Sequence, residues 1–107
     1  MTTFDKREQA FESQFVHDEE LKFKAEARRN RMIGLWAAEK LGMSGDAAAD
    51  YSRTVVTAGI DASSEEGVVR KIMSDLGAKG VTMNEEELRS KMNELLAAAV
   101  AQIQAGI

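Results

Sequence analysis

The only histidine of the chain and the acidic residues that follow it are the first group that could carry chemistry. His17 precedes Asp18, Glu19 and Glu20, and neighbouring carboxylates stabilise a protonated imidazole. His17 and Asp18 could therefore form a pH-sensitive hinge, but an exposed linker histidine without a role is the favoured interpretation. A zinc site at this position is disfavoured because the chain has no second histidine and no cysteine to complete the ligand set.

A second candidate group is basic. Arg28, Arg29 and Arg31 follow two lysines, and such a cluster could bind phosphate. On a helix, however, these arginines fall on both flanks and alternate with polar residues, so a solvated border between apolar faces is the favoured interpretation. Arg28 and Glu39 lie inside an apolar stripe, where an unpaired charge is rarely tolerated. We expect each of them to meet an opposite charge on another helix or in a partner.

No group of residues predicts catalysis. The glycine-rich segment LGAKGVT at 76–82 contains a lysine and a threonine but lacks the G-x-x-x-x-G-K-[ST] spacing of a phosphate-binding loop, and an interhelical turn explains it better. No serine or threonine is placed with the sole histidine in a readable triad. We therefore predict a protein that is not an enzyme, requires no cofactor and binds no metal.

Three phenylalanines near the N-terminus could support binding rather than catalysis. At about 100° per residue, Phe4, Phe11 and Phe15 form a stripe roughly 40° wide on an otherwise polar helix. This phenylalanine seam is too narrow to build a core. It suits recognition in which a helix docks into the groove of a partner. We expect residues 1–17 to be mobile or partly helical in the free protein.

The composition indicates a single all-α domain. The chain has 107 residues, of which 44% are hydrophobic and 30% are charged, and it has no proline and no cysteine. Proline interrupts helices, so its absence beside abundant alanine, glutamate and leucine favours helices throughout. A net charge of −4 disfavours a general nucleic-acid binder. No signal peptide or membrane-spanning run is present in the sequence, so we expect a cytoplasmic protein without direct membrane insertion.

The first predicted helix of the bundle begins at Asp18 as N-cap and ends at Gly42. It is expected to gain support from ion pairs between Asp18 and Lys22 and between Glu20 and Lys24. The helix has two apolar faces on nearly opposite sides. One face comprises Leu21, Ala25, Met32, Leu35 and Trp36, and the other comprises Phe23, Ala27, Gly34, Ala38 and Leu41. Such a helix needs neighbours on both sides, or neighbours on one side and a partner protein on the other.

Three further helices are predicted. The second begins after Ser44 and stops at Gly59, the third begins with a capping box at Ser63, and the fourth begins with another at Thr82. The second is expected to bury Ala47, Tyr51, Val55 and Ala58; the third Val68, Ile72 and Leu76; the fourth Leu88, Met92, Leu95, Leu96, Ala99 and Ile103. Together they predict a four-helix bundle over residues 18–107.

The alanine-rich run LLAAAVA at 95–101 is apolar on nearly every side. We expect it to be the central helix of the bundle. The alternative is an exposed seam for a partner.

Three strings carry a resemblance to a known family. FDKREQAF, then HDEEL-F-A-ARRN, then GLWAAEKLG occur in this order and spacing, and they closely resemble the zeta subunit of alphaproteobacterial F-type ATP synthase. The resemblance covers the whole chain, although the second half matches mainly in the number of its helices and in the residues that begin and end them. It implies a four-helix protein, monomeric when free, that inhibits ATP hydrolysis by the catalytic head of the synthase.

The resemblance also implies which residues inhibit. In that family the N-terminal segment enters the interface between a catalytic and a non-catalytic subunit, folds there as a helix and blocks rotation in the hydrolytic direction. Carried onto this sequence, the inhibitory residues are Phe4, Asp5, Arg7, Glu8, Phe11 and Phe15. The implied partners are the alpha, beta and gamma subunits, which would place the protein at the periphery of the inner membrane. Some family members are linked to adenine nucleotide binding, but no motif here locates a nucleotide site.

Two other functions remain open at this point. A helical adaptor or assembly protein could use the face of the first helix that contains Phe23, Ala27 and Gly34 to dock an unrelated protein. A nucleotide-sensing module would require a site that the sequence does not reveal.

Overall fold

Four α-helices make up the described part of the chain. A computed structural model describes residues 19–61 and 65–106. The helices are α1 (Glu19–Lys40), α2 (Gly45–Asp61), α3 (Glu65–Ala78) and α4 (Glu85–Gln104), and these residues contain no strand. The predicted all-α four-helix bundle is confirmed. Its predicted N-terminal boundary lies outside the described residues.

Helix α1 occupies the centre of the bundle. It packs against α2, α3 and α4, whereas α2 and α4 have no contact with each other within the described ranges. The prediction that the alanine-rich run forms the central helix is therefore wrong. In α4 the side chain of Ala99 is buried, but Ala97 and Ala101 are exposed, so α4 covers one side of α1 and keeps its outer face in solvent.

The buried surface of α1 is one broad arc rather than two opposite faces. Seven of its residues are buried, and at 100° per residue they span roughly 220° of the helix. They are Ala25, Arg29, Asn30, Ile33, Gly34, Ala37 and Ala38. The predicted face that starts at Leu21 lies mostly at the rim, since Leu35 is 40% exposed and only Ala25 is buried. An arc this wide explains how one helix serves three neighbours.

The hydrophobic core joins residues from all four helices. Its largest fully buried side chains are Ile33, Val55, Val68, Ile72, Leu76, Leu88 and Met92. The predicted core residues of α3 are all confirmed. In α2 the predicted inner stripe is partly wrong, because Ala47 is exposed while Ala48 packs against the core. In α4, Leu95, Leu96 and Ile103 are only half-buried.

A glycine in the left-handed conformation follows two of the helices, and at Gly42 this confirms the prediction. Gly42 has φ of 81°, the left-handed conformation that favours glycine. Its amide donates to the carbonyl of Glu39 at 3.0 Å, and the amide of Met43 donates to Ala38 at 2.9 Å, which is the Schellman pattern. Gly80, two residues after the end of α3, has φ of 75°.

Two predicted helix boundaries are wrong. Gly59 does not stop α2, which continues to Asp61, because this glycine is needed for close packing inside the helix rather than for a turn. The N-cap of α4 is Asn84 instead of Thr82. The Oδ1 atom of Asn84 accepts a hydrogen bond from the amide of Glu86 at 2.7 Å, and that bond satisfies one of the donors at the start of the helix. Ser63, the predicted cap of α3, lies outside the described residues.

Candidate interaction surface

The predicted inhibitory residues lie just before the described part of the chain. These residues are Phe4, Asp5, Arg7, Glu8, Phe11 and Phe15, and like the hinge candidates His17 and Asp18 they fall outside residues 19–61 and 65–106. Their roles stay predictions. The candidate surface is therefore built from α1 onward, starting at the point where these residues join the bundle.

The first turns of α1 are exposed and charged. Glu19 and Glu20 occupy the first turn, where the helix dipole favours negative charge. Lys24 Nζ lies 3.2 Å from the Glu20 carboxylate, which confirms the predicted ion pair between these two residues. Both side chains are largely in solvent, so the pair contributes little to the stability of the fold.

An exposed apolar surface surrounds the beginning of α1. Phe23 and Ile60 are each 61% exposed, and together with Ala27 and Val56 they line a shallow groove between α1 and α2. Toward α4, the same residues Phe23 and Ala27 also line a second groove, together with Ile103. We call the five residues Phe23, Ala27, Val56, Ile60 and Ile103 the Phe23 surface. It is continuous because the two grooves share Phe23 and Ala27.

Arg28 ties this surface to α4. Its Nη1 atom donates a hydrogen bond of 3.3 Å to Oε1 of Gln102, across the groove that contains Phe23 and Ile103. Within the described residues, Arg28 thus meets a neutral amide on another helix rather than the expected opposite charge, and its half-exposed side chain tolerates this. An opposite charge in a partner stays a prediction. Glu39 is exposed and needs no buried countercharge.

Arg29 is buried inside the bundle rather than exposed to solvent. It is 4% exposed, as is Asn30, and its Nε donates to Oδ1 of Asn30 at 3.0 Å. Burial lowers the pKa of the Arg29 guanidinium, while the negative charges of Glu26 and Glu65 act in the opposite direction. The predicted solvated border, from which Arg28 was excepted because it lies in an apolar stripe, is therefore wrong for Arg29 and correct for Arg31. Arg28 is half-buried, Arg29 is buried, and only Arg31 is exposed.

Two glycines set how closely α1 and α2 approach each other. A Cβ on Gly34 would lie 2.8 Å from the Cα atom of Ser52, and a Cβ on Gly59 would clash with Nδ2 of Asn30. Neither position leaves room for a methyl group without movement. The second contact places the Asn30 amide directly under the end of α2, next to Ile60, and so fixes the floor of the groove.

A polar group joins α2 to α3 away from the Phe23 surface. The hydroxyl of Tyr51 donates to Oδ2 of Asp75 at 2.8 Å, and Lys71 Nζ donates to the same oxygen at 3.0 Å. The Lys71 ammonium also lies 5.3 Å from the centre of the Tyr51 ring, within cation–π range. This arrangement is structural, because every group in it has a partner inside the bundle.

The segment at 76–82 forms the C-terminal cap of α3, in which the amide of Val81 donates to the carbonyl of Leu76 at 2.9 Å. Within 19–61 and 65–106, no three histidine, cysteine, aspartate or glutamate side chains converge in a way that could hold a metal ion. None of the four helices has the length and apolar character needed to cross a membrane.

Comparison with known proteins identifies the family. The family model for ATPase inhibitor subunit zeta matches residues 1–102. The chain belongs to this family. Because the match begins at residue 1, it includes the phenylalanine seam as well as the bundle, and the zeta-subunit resemblance read from the three strings is confirmed. An alphaproteobacterial origin stays a prediction.

A solved structure supports the fold of this zeta-family protein. A protein structure determined by NMR in solution has 45% sequence identity and a TM-score of 0.70, and the alignment covers 81% of this chain and 99% of that one. No curated protein matches the chain significantly.

Sequence reasoning missed several residues that shape the surface. The buried positions of Arg29, Asn30 and Ile33 were not predicted, because two adjacent arginines followed by an asparagine are typical of the solvent-exposed side of a helix. The i, i+4 series Ala25, Arg29, Ile33 and Ala37 was the available signal. The exposed position of Ile60 could not be read from the sequence either, since Gly59 was taken to end the helix.

Proposed function

We propose that this chain inhibits ATP hydrolysis by F-type ATP synthase by inserting its N-terminal segment, as a helix, between a catalytic and a non-catalytic subunit of the catalytic head. The observation that supports the proposal most is the family match, which starts at residue 1 and so includes the seam of Phe4, Phe11 and Phe15.

The position of α1 gives a physical reason for helix formation on binding. A new helix must first form a costly nucleus, with a nucleation factor of about 10⁻³. Helix α1 begins at Glu19, and only Asp18 separates it from the segment 1–17, so the segment could extend an existing helix. Coupled folding onto a partner would then require propagation only, and the phenylalanines would provide the apolar contacts that stabilise it.

The proposed partners are the alpha and beta subunits that form the interface, together with the gamma subunit at the centre of the head. Bound there, the protein would lie at the periphery of the inner membrane. The proposal requires no catalysis by this chain and no cofactor.

The test is a pair of double variants in the full chain. Phe11→Ala with Phe15→Ala removes two rings of the seam, while Gln9→Ala with Ser13→Ala changes the opposite side of the same helix. Truncation of buried aromatic anchors costs about 2 kcal/mol or more each, and about 1.4 kcal/mol is tenfold in affinity. The phenylalanine variant should therefore need at least about tenfold more protein for half-inhibition of ATP hydrolysis, and the control should not.

Circular dichroism of both variants distinguishes lost binding from lost fold. Helicity should hardly change, because the seam is not expected to contribute to the core. A protein that lacks residues 1–17 should likewise fold and fail to inhibit. Inhibition by this truncated protein at full strength would disprove the role of the segment.

A further inference from the structure

The Phe23 surface lies where two helices leave part of α1 uncovered. Helices α2 and α4 do not contact each other within the described ranges, and the grooves toward them share Phe23 and Ala27. Phe23 and Ile60 are each 61% exposed. Single exposed apolar residues are ordinary, but a continuous apolar surface formed by three helices is typical of an interaction site. A surface of this form suits a further helix that packs along the first turns of α1.

The chain itself supplies an apolar seam within reach of this surface. Residues 1–18 precede α1, and the phenylalanine seam ends at Phe15, eight residues before Phe23. Two antiparallel helices can be joined by about two to five residues. Residues 16–18 are therefore long enough to reverse the chain between a helix that ends at Phe15 and the start of α1. A segment on so short a tether has an effective concentration of about a millimolar, so weak contacts suffice to hold it.

Such a hairpin brings the seam level with the Phe23 surface. Residues at equal distance from His17, the centre of the connection, lie at the same height along the two helices. Phe11 thus lies level with Phe23, and Phe4 lies level with Asn30. Phe23 and Asn30 both line the groove toward α2. Two of the three rings of the seam therefore meet the apolar surface, over about 10 Å of α1.

The acidic side of the seam faces the basic side of the surface. Three acidic residues follow the seam within about 100° on one side of the helix, and they are Asp5, Glu8 and Glu12. On α1, Arg31 and Arg28 lie about 40° and 100° from Ala27 in the same rotational sense. In an antiparallel pair of helices, flanks of the same sense face each other. Lys24 lies on this side as well but is already paired with Glu20, so the charge match rests on the two arginines.

On the opposite flank the signs are reversed. Arg7 lies about 60° from the seam, and Glu26 lies about 100° from Ala27, both in the other rotational sense. Arg7 is level with Ala27 in the hairpin, one residue from Glu26, which lines the groove toward α2. Complementary charges on both flanks favour one orientation of the segment over the others.

We propose that residues 1–15 of the free chain dock as an antiparallel helix on the Phe23 surface, with Phe11 against Phe23 and Phe4 in the groove toward Ile60. Docking and a continuous extension of α1 exclude each other, because residues 16–18 cannot be a turn and a helix at once. The contact therefore covers the seam until a partner for the seam displaces it. The inference concerns the free chain and does not rest on the proposed function.

The test is paramagnetic NMR on the full chain. The chain has no cysteine, so Thr57→Cys provides a single site for a nitroxide on the exposed side of α2, beside Arg31. Docking should broaden the amides of residues 3–7 more than those of residues 14–16, because the docked segment runs toward the label. Broadening that increases toward Glu19, or no broadening at all, would overturn the inference.

A pair of serine variants shows whether the Phe23 surface holds the segment. Phe23→Ser should lower the docking equilibrium about tenfold, and the broadening of residues 3–7 should fall with it. Leu35→Ser is the matched control, because Leu35 is also exposed on α1 but lies twelve residues after Phe23, beyond the end of the docked segment. Broadening that persists in Phe23→Ser, or that falls equally in both variants, would contradict docking at this surface.

Charge reversal tests the antiparallel orientation. Asp5 and Arg28 lie on facing flanks at nearly the same height in the hairpin. Arg28→Glu should therefore weaken the broadening of residues 3–7, and Asp5→Arg in the same chain should restore it. If the second change weakens the broadening further, the proposed orientation is wrong.

A mixing experiment distinguishes docking within one chain from association of two chains. Isotope-labelled chain without a nitroxide is mixed with nitroxide-labelled chain of natural isotopic abundance, and residues 3–7 should then show no broadening. Broadening in the mixture would identify a second copy as the occupant and overturn the inference. Because these measurements use the free chain, their failure leaves the proposed function standing, and loss of the proposed function leaves their outcome unchanged.

Discussion

Tyr51 is the only tyrosine of the chain, and its hydroxyl is held between two helices. Burial raises the pKa of Tyr51 above its ordinary value, and the hydrogen bond to Asp75 and the negative charge of that carboxylate raise it further. All three causes favour the neutral phenol. The neighbouring Lys71 ammonium acts on the same carboxylate oxygen, at 3.0 Å.

The ionisation of Tyr51 should therefore depend on folding. Because the pKa of Tyr51 is raised in the folded state, its contribution to stability is complete below about pH 10 and is lost as the pH rises through the folded-state value. Tyrosinate absorbance should appear at higher pH in the folded protein than in urea, where it should appear near pH 10. Asp75→Asn should move the folded transition part of the way back, and coincident folded and unfolded titrations would contradict the assigned environment.

At the scale of the helix, the contact between α1 and α2 depends on the absence of a side chain at Gly34. An added methyl group would meet the Cα atom of Ser52 at 2.8 Å, and backbone cannot rotate out of the way as a side chain can. Gly34→Ala should therefore lower the free energy of unfolding by about 1 to 3 kcal/mol through overpacking, although alanine has the higher helix propensity. Urea denaturation followed by circular dichroism measures this difference.

Gly77 provides the matched control for Gly34. It lies inside α3, and a Cβ there would meet nothing within 4 Å. Gly77→Ala should therefore raise the free energy of unfolding by up to about 1 kcal/mol, since only helix propensity changes. The same sign of change at both glycines would show that packing does not limit position 34.

The helices themselves were predictable, and their relative arrangement was not. Periodicity, the missing proline and the glycine after α1 predicted four helices and the Gly42 cap, because these signals are local. The position of α1 at the centre depends on close approaches at Gly34 and Gly59, which involve residues distant in sequence. Arg29 escaped prediction for a related reason: a charged side chain is rarely buried, and its observed partner Asn30 has no recognisable spacing motif.

The N-cap of α4 shows a competition between neighbouring signals. Thr82 and Glu85 fit a capping box, but Asn84 is an equally good cap and lies next to the first helical residue. Residues 1–18 lie outside the described part of the chain, so the roles predicted for them rest on the sequence and on the family.

At the scale of the whole molecule, the central position of α1 should appear in its hydrogen exchange. Ile33 and Ala37 are fully buried in the helix that contacts all three others, so their amides should exchange only through opening of most of the bundle. Amides near Ala101 and Gln104, on the outer face of the last turns of α4, should exchange by local fraying. NMR-detected exchange should give at least tenfold greater protection for the α1 amides, and equal protection would contradict a bundle organised around α1.

The central position of α1 also has a mechanical consequence. A pull applied at Glu19 is transmitted along the axis of the helix that every other helix contacts, so the load acts in shear over the whole core. Had the proposed inhibitory segment been attached to α4, the same pull would peel one outer helix from the bundle, a few contacts at a time. In a protein proposed to obstruct a rotary motor, the proposed inhibitory segment thus precedes the helix that contacts all three others.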